Sequence, residues 1–147
     1  NENLMLFFTG VSRFSSDVAE SQILNMSNCS PQMNELQSMV DDGIEILTNT
    51  NIPIENFGVL LNSSWKIKRS LSTMISNIKI DNLYETAIKA GAVGGKVLGA
   101  GGGGFVLFYV KPENQAKVKE ALSTLTYVPF KFENTGSKVV VYQPNGF

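Results

Sequence analysis

The chain contains no histidine and only one cysteine, Cys29, among its 147 residues. The lack of histidine excludes a histidine general base and any catalytic triad that contains one. The two counts together exclude a zinc site built from several cysteine or histidine ligands, and also an intramolecular disulfide. A single unpaired cysteine is typical of a reducing compartment, so we expect a cytoplasmic protein.

Neither sign of charge dominates the sequence. Twelve basic and thirteen acidic side chains give a formal net charge of -1, and the cations are scattered along the chain. This balance favours neither a nucleic-acid partner nor an anionic membrane. No apolar stretch approaches the roughly 20 residues of a membrane span. Because 43% of the residues are hydrophobic, we expect residues 1–147 to form one soluble domain with a core of its own.

The pattern of apolar and polar residues predicts the element order β-α-α-α-α-β-β-α-β-β. Strands are expected at residues 4–9, 97–98, 105–110, 127–132 and 138–142. Helices are expected after Ser15, at residues 33–47, 57–74 and 81–90, and from Pro112. In the second helix the three-four spacing places five apolar side chains on one face: Met33, Leu36, Val40, Ile44 and Leu47.

The order of these elements indicates the fold class. Few of the predicted connections join neighbouring parallel strands. We therefore expect an α+β fold, in which helices pack on one face of a mainly antiparallel sheet.

Eight glycines lie between positions 91 and 104, and four of them are consecutive, from Gly101 to Gly104. Such a run costs conformational entropy and adds no packing, so it indicates a close backbone approach or positive φ angles. Consecutive exposed amides can bind an anion, most often a phosphate. The alternatives are a flexible hairpin connection and tight packing of the backbone against a neighbouring helix.

Three common glycine fingerprints do not fit the context of this tract. Gly95-Lys96 lacks the upstream glycine and the following Ser or Thr of a Walker loop. Gly99, Gly101 and Gly104 match the spacing of the dinucleotide-binding motif, but a predicted strand follows them where that motif requires a helix. The protein-kinase loop pattern also matches, yet the sequence has neither a His-Arg-Asp nor an Asp-Phe-Gly triplet.

Residues 91–105 resemble the third, C-terminal glycine-rich motif of the GHMP kinases. Residues 7–17, 64–72 and 130–137 are similar to the D-glycero-D-manno-heptose 7-phosphate kinase branch of that superfamily. The resemblance implies ATP-dependent, magnesium-assisted phosphoryl transfer to a sugar or sugar phosphate, between an N-terminal and a C-terminal domain. It also implies that this chain is the C-terminal, ferredoxin-like domain. The main phosphate loop, the catalytic Asp and the magnesium ligands would lie in the missing N-terminal domain, so we expect the chain alone to be inactive.

The resemblance also implies roles for individual residues. The backbone of Gly99, Ala100, Gly101, Gly102, Gly103 and Gly104 would support the nucleotide phosphates. The cations of Arg13, Lys68 and Arg69 would face the substrate phosphate, for which bidentate arginine is well suited. The alternatives are a solvated helix face for Lys68 and Arg69, and a helix cap or a pair with Asp17 for Arg13.

A function of another class remains open on the sequence alone. The chain would then be a non-catalytic α+β binding or regulatory domain in which the glycine tract is structural. In either case a domain separated from its partner exposes apolar surface, through which a homodimer would form.

Overall fold

The computed structural model describes residues 2–11 and 15–139. Its four strands are β1 Leu4–Phe8, β2 Ala92–Val97, β3 Phe105–Val110 and β4 Thr126–Val128. They form one antiparallel sheet in the order β2-β3-β1-β4. This is the strand order of a ferredoxin-like sheet, and the predicted α+β class with an antiparallel sheet is confirmed.

Five α-helices accompany the sheet in the described residues. They are α1 Ser15–Asn25, α2 Ser30–Thr48, α3 Glu55–Ser70, α4 Ile78–Lys89 and α5 Pro112–Ala121. The first four helices connect β1 to β2, and α5 connects β3 to β4. Pro31 lies in the first turn of α2, where the missing N–H is tolerated.

The core lies between one face of the sheet and the helices. Met5 and Phe7 of β1 are buried opposite Phe108 and Val106 of β3, as the alternation of a half-covered strand requires. The ring of Phe108 lies 6.3 Å from Phe7 and 5.6 Å from Tyr84 of α4, centroid to centroid. These aromatic contacts join the sheet to the helical layer.

Strand β2 is longer than predicted, because the sequence suggested only residues 97–98. Two glycines inside it weakened the strand signal. Gly94 is needed because α3 approaches closely, and a Cβ atom there would lie 2.0 Å from the carbonyl oxygen of Gly58. At Gly95 a Cβ atom would lie 2.5 Å from the Leu107 carbonyl oxygen of β3. The outer edge of β2 is covered by Tyr84, whose hydroxyl accepts the Gly95 N–H at 3.1 Å.

Two other predicted boundaries were wrong for local reasons. Strand β4 ends at Val128 because Pro129, which lacks an N–H, follows it. Helix α3 ends at Ser70, and the Ser72 hydroxyl then accepts the Met74 N–H at 3.1 Å in a local turn.

The start of α4 and the last predicted strand also differ from expectation. Helix α4 begins at Ile78, before the predicted residue 81, and Asn77 caps it: the side-chain oxygen accepts the N–H groups of Lys79 and Ile80, each at 3.1 Å. Residues 138 and 139 are not in a strand. The rest of the strand predicted at residues 138–142 lies outside the described residues.

Helix α2 has the predicted apolar face, but most of that face is exposed to solvent. No residue of α2 is fully buried. Val40, Ile44 and Leu47 are 54%, 56% and 60% exposed. The helix packs against α3 through a neighbouring set of half-buried residues, which are Leu36, Met39, Gly43 and Ile46.

Candidate functional site

The glycine tract forms the connection between β2 and β3. The Leu98 N–H donates to the Phe105 carbonyl at 2.8 Å, which closes the hairpin around residues 99–104. Positive φ angles occur at Gly99, Gly101, Gly102 and Gly104, so four of the five glycines here adopt a conformation that other residues rarely take. The glycine content therefore follows from the path of this loop.

The loop, which we call the glycine loop (residues 99–104), is fastened to two neighbouring segments. The Gly102 N–H donates to the Ile75 carbonyl at 2.8 Å, and the Gly104 N–H donates to the Val11 carbonyl at 2.7 Å. Cβ atoms at Gly101 and Gly103 would lie 2.8 and 2.5 Å from those same carbonyl oxygens. The backbone of the loop packs tightly against the α3–α4 connection and against the segment after β1. This packing is part of the reason for glycine at these positions.

The other backbone amides of the glycine loop remain available. Within the described residues, the N–H groups of Gly99, Ala100, Gly101 and Gly103 donate to no protein acceptor. The carbonyls are occupied instead: Gln22 donates to Ala100 at 3.0 Å, and the Lys68 ammonium donates to Gly99. Donors without acceptors, beside a cation, are what an anionic ligand requires.

Lys68 contacts the glycine loop through the Gly99 carbonyl, and Lys96 on β2 lies near enough to Lys68 to affect its charge. Burial lowers the pKa of Lys68, and the nearby Lys96 charge lowers it further. Burial also lowers the pKa of Lys96, which projects from β2 toward α2 and α3. Within the described residues neither lysine has an acidic partner at salt-bridge distance. Lys96 is thus half-buried.

Arg69 lies on a different side of α3 from Lys68. Its Nη1 atom is 3.1 Å from Oδ1 of Asp81, and both side chains are partly exposed. It lines a separate cavity of about 380 Å³ between the end of α3 and the start of α4. The two cations that were predicted to face one substrate phosphate are therefore separated: Lys68 contacts the glycine loop, and Arg69 lines this cavity.

Arg13 is not among the described residues, so its predicted role stays a prediction. Across residues 2–11 and 15–139, no group of three or more acidic or cysteine side chains could hold a metal ion. In the same part of the chain, no helix is both long enough and apolar enough to cross a membrane.

The sequence analysis missed the role of Asp81, which it did not single out as a site residue. The carboxylate receives both Arg69 and the Ser76 hydroxyl, the latter at 2.6 Å. The available signal was a series of hydroxyl residues between Arg69 and Asp81, at Ser70, Ser72, Thr73 and Ser76.

The family model described as "GHMP kinases C terminal" matches residues 49–127, more than half of the chain. The chain therefore belongs to the GHMP kinases C-terminal domain family.

Individual relatives agree with this family. The chain is 30% identical over 121 residues to the D-glycero-alpha-D-manno-heptose 7-phosphate kinase of Campylobacter jejuni, over 80% of this chain and 35% of the relative. It is 28% identical over 120 residues to the bifunctional fucokinase/GDP-fucose pyrophosphorylase of Arabidopsis thaliana, over 79% of this chain and 11% of that protein.

A solved structure supports the fold. The mevalonate kinase of Methanococcus jannaschii superposes with a TM-score of 0.71 at 20% identity, over 85% of this chain and 38% of that chain. The chain thus spans little more than a third of the length of these relatives at most.

Proposed function

We propose that the chain is the single C-terminal domain of a longer, ATP-dependent kinase that phosphorylates a sugar or sugar phosphate. The family and the heptose 7-phosphate kinase relative support this class of activity. In the proposal, the glycine loop contributes backbone amides to the nucleotide phosphate site, and the substrate phosphate is held by cations of α3. Arg13 keeps its predicted role as a third substrate cation.

One observation carries the proposal. The glycine loop is held rigidly by Ile75 and Val11, yet the amides of Gly99, Ala100, Gly101 and Gly103 have no acceptor among the described residues. Lys68 donates to the carbonyl of Gly99 and so holds a positive charge at the edge of the same loop. Phosphoryl transfer depends mainly on positioning and charge stabilisation, and a preorganised set of donors supplies both.

The described residues do not provide a magnesium site, because no suitable acidic cluster exists among them. As the family resemblance implies, we assign the magnesium ligands to the N-terminal domain of the proposed kinase. Bound magnesium neutralises charge on the phosphates in kinases of this kind. The chain alone is expected to have no kinase activity.

The test is ATP consumption by the longer kinase with D-glycero-D-manno-heptose 7-phosphate, galactose, fucose and mevalonate as acceptors. We expect turnover of a sugar or sugar phosphate, with loss of about tenfold or more in Lys68→Met because a charge-assisted contact is removed. The matched control is Lys117→Met on the exposed side of α5. If Lys68→Met is folded and fully active, the phosphate role of this edge of the loop is wrong.

Association of the isolated chain is a separate part of the proposal. The exposed apolar face of α2 is the surface through which we expect the N-terminal domain, or a second copy of the chain, to bind. Light scattering at high protein concentration tests the second possibility, and a strictly monomeric solution would exclude it.

A further inference from the structure

The cavity beside Arg69 is lined entirely by polar side chains. We call it the polar cleft. It lies between the end of α3 and the start of α4, and its lining residues are Lys66, Arg69, Ser70, Ser72, Thr73, Ser76 and Asp81. Every one of them carries a charge or a hydroxyl group. With a volume of about 380 Å³, the cleft suits a small polar molecule rather than an apolar one.

The contacts within the polar cleft leave particular atoms free. Arg69 and the Ser76 hydroxyl both contact the same oxygen of Asp81, Oδ1, at 3.1 and 2.6 Å. In the described part of the chain, Oδ2 of Asp81 has no hydrogen-bond donor and Lys66 has no acidic partner. Arg69 also retains N–H donors beyond the one that faces Asp81.

These free atoms define the chemistry of a ligand. Two cations and one carboxylate give the cleft a net positive charge, which favours an anion. The unpaired Oδ2 of Asp81 carries negative charge and would repel a bare phosphate, but it can accept a hydrogen bond from a hydroxyl group. A molecule that satisfies both needs carries a phosphate and hydroxyl groups together.

The polar cleft shares a wall with the glycine loop. The connection between α3 and α4 forms part of the cleft, and its Ile75 carbonyl accepts the Gly102 N–H at 2.8 Å. Asn77, at the end of the same connection, donates to the Gly102 carbonyl at 3.3 Å. One segment of chain, the α3–α4 connection, therefore borders both the cleft and the loop, and phosphoryl transfer requires donor and acceptor to bind close together.

We propose that the polar cleft binds the phosphorylated sugar that accepts the phosphoryl group. Lys66 and Arg69 hold its phosphate, and Oδ2 of Asp81 accepts a hydrogen bond from one of its hydroxyl groups. This inference rests on the proposed function, and it adds Lys66 and Asp81 to the substrate site while separating Arg69 from Lys68.

The cleft is formed wholly by described residues of this chain, so the chain itself can be tested. Its backbone amide spectrum is recorded during separate titrations with D-glycero-D-manno-heptose 7-phosphate, D-mannose, inorganic phosphate and ATP. We expect the sugar phosphate to shift the amides of Ser72, Thr73, Ser76 and Asp81. Lys66→Met should weaken this binding about tenfold, since a charge-assisted contact is lost. Lys117→Met, on α5, should leave it unchanged.

Asp81→Asn separates a binding role from a structural one. The variant removes a negative charge and retains the shape of the side chain. We expect sugar phosphate to bind more weakly and inorganic phosphate to bind more tightly, whereas a merely disturbed cleft would bind both more weakly. An unchanged amide spectrum away from the cleft verifies that the variant is folded.

The remaining outcomes overturn the inference. Equal affinities for inorganic phosphate and sugar phosphate, unaltered in Asp81→Asn, would make the cleft a general anion site. Absence of shifts in the cleft with sugar phosphate at millimolar concentration would also exclude it as a substrate site. Shifts of the residue 99–104 amides with ATP in the same samples would then show that the proposed function stands without this inference.

Discussion

Helices α2 and α4 have similar apolar spacing but opposite environments. In α4, Ile80, Leu83, Tyr84 and Ala87 recur at three-four spacing, and all four are buried in the core. In α2, Val40, Ile44 and Leu47 recur in the same way, and all three are more than half exposed. Spacing thus identifies a helix and its apolar face, but it does not identify what covers that face.

The difference arises from what each helix packs against. Helix α4 contributes to the core against the sheet, where the ring of Tyr84 lies 5.6 Å from that of Phe108. Helix α2 packs on α3 instead, and α3 covers only part of the apolar arc of α2. The main difference between the two regions is therefore the part of the apolar face of α2 that α3 leaves uncovered. This part is the surface through which we expect the N-terminal domain or a second copy of the chain to bind.

Truncating one residue in each region should give the largest contrast in stability. Phe108 is 0% exposed and Ile44 is 56% exposed. We expect Phe108→Ala to lower the free energy of unfolding by about 3–5 kcal/mol, because it leaves a cavity in the core. Ile44→Ala should change it by no more than about 0.5 kcal/mol. Urea unfolding of both variants measures the difference.

Protein concentration is the control for this contrast. A large, concentration-dependent cost of Ile44→Ala would mean that a second copy covers α2 in solution. Similar costs for both variants at all concentrations would contradict the contrast itself.

Much of the fold could be predicted, because its signals are local. The apolar strands at β1 and β3 and the capping or stop residues around the helices lie next to the elements that they define. Strand β2 could not be predicted fully, because Gly94 and Gly95 weaken the strand signal, and Gly94 is required there by the close approach of α3. That approach is a tertiary contact without a local signature.

The candidate site was predictable in part for the same reason. The glycine loop stands out in the sequence, and its positive φ angles explain its composition. The separation of Lys68 from Arg69 was not predictable from their adjacency alone. It depends on what lies beside α3 on each side: the Gly99 carbonyl for one and Asp81 for the other.

The Tyr84 hydroxyl tests how much a single polar group contributes to the buried region. It accepts the Gly95 N–H at 3.1 Å and donates to Oδ1 of Asn62 at 2.9 Å. Tyr84→Phe leaves a backbone donor on the edge of β2 without this acceptor, so we expect a loss of about 1–3 kcal/mol in the free energy of unfolding.

The pH dependence of the same variant gives a second readout. Burial raises the pKa of Tyr84 to about 12 from the ordinary value of 10.0. Between these pH values the unfolded chain has lost this proton and the folded chain retains it, so stability falls as pH rises. Tyr84→Phe lacks this decrease, and the gap between the two proteins should narrow over the window. A constant gap would show that the hydroxyl is not held in its neutral form.

A substitution at Gly43 in helix α2 should raise the free energy of unfolding instead of lowering it. Glycine inside a helix costs about 0.5–1 kcal/mol relative to alanine. A Cβ atom at Gly43 would lie 3.4 Å from Cδ2 of Leu60, which is ordinary contact. We therefore expect Gly43→Ala to raise the free energy of unfolding by about that amount. Ser38→Ala, at an exposed position of the same helix, is the control, and a destabilised Gly43→Ala would mean that α2 and α3 tolerate no added atom between them.

Lys96 lies between the core and the exposed helix α2, because it projects from β2 toward the cavity between α2 and α3. We expect its substitution to change the free energy of unfolding least. Burial lowers its pKa, so the folded protein disfavours the charged ammonium. Below the folded pKa both states carry the proton and this cost is fully present. Between that value and the ordinary pKa of 10.5 the unfolded state binds more protons, so the cost disappears as pH rises.

Lys96→Met should therefore stabilise the chain at neutral pH, by no more than about 0.5 kcal/mol because the side chain is partly solvated. The gain should shrink as pH approaches 10.5, whereas Lys117→Met on exposed α5 should show neither effect. Denaturant unfolding at pH 7 and pH 10 measures both variants. A gain that grows with pH would have the wrong sign for a desolvated cation. It would indicate that the ammonium of Lys96 stabilises the junction between β2 and the α2–α3 pair.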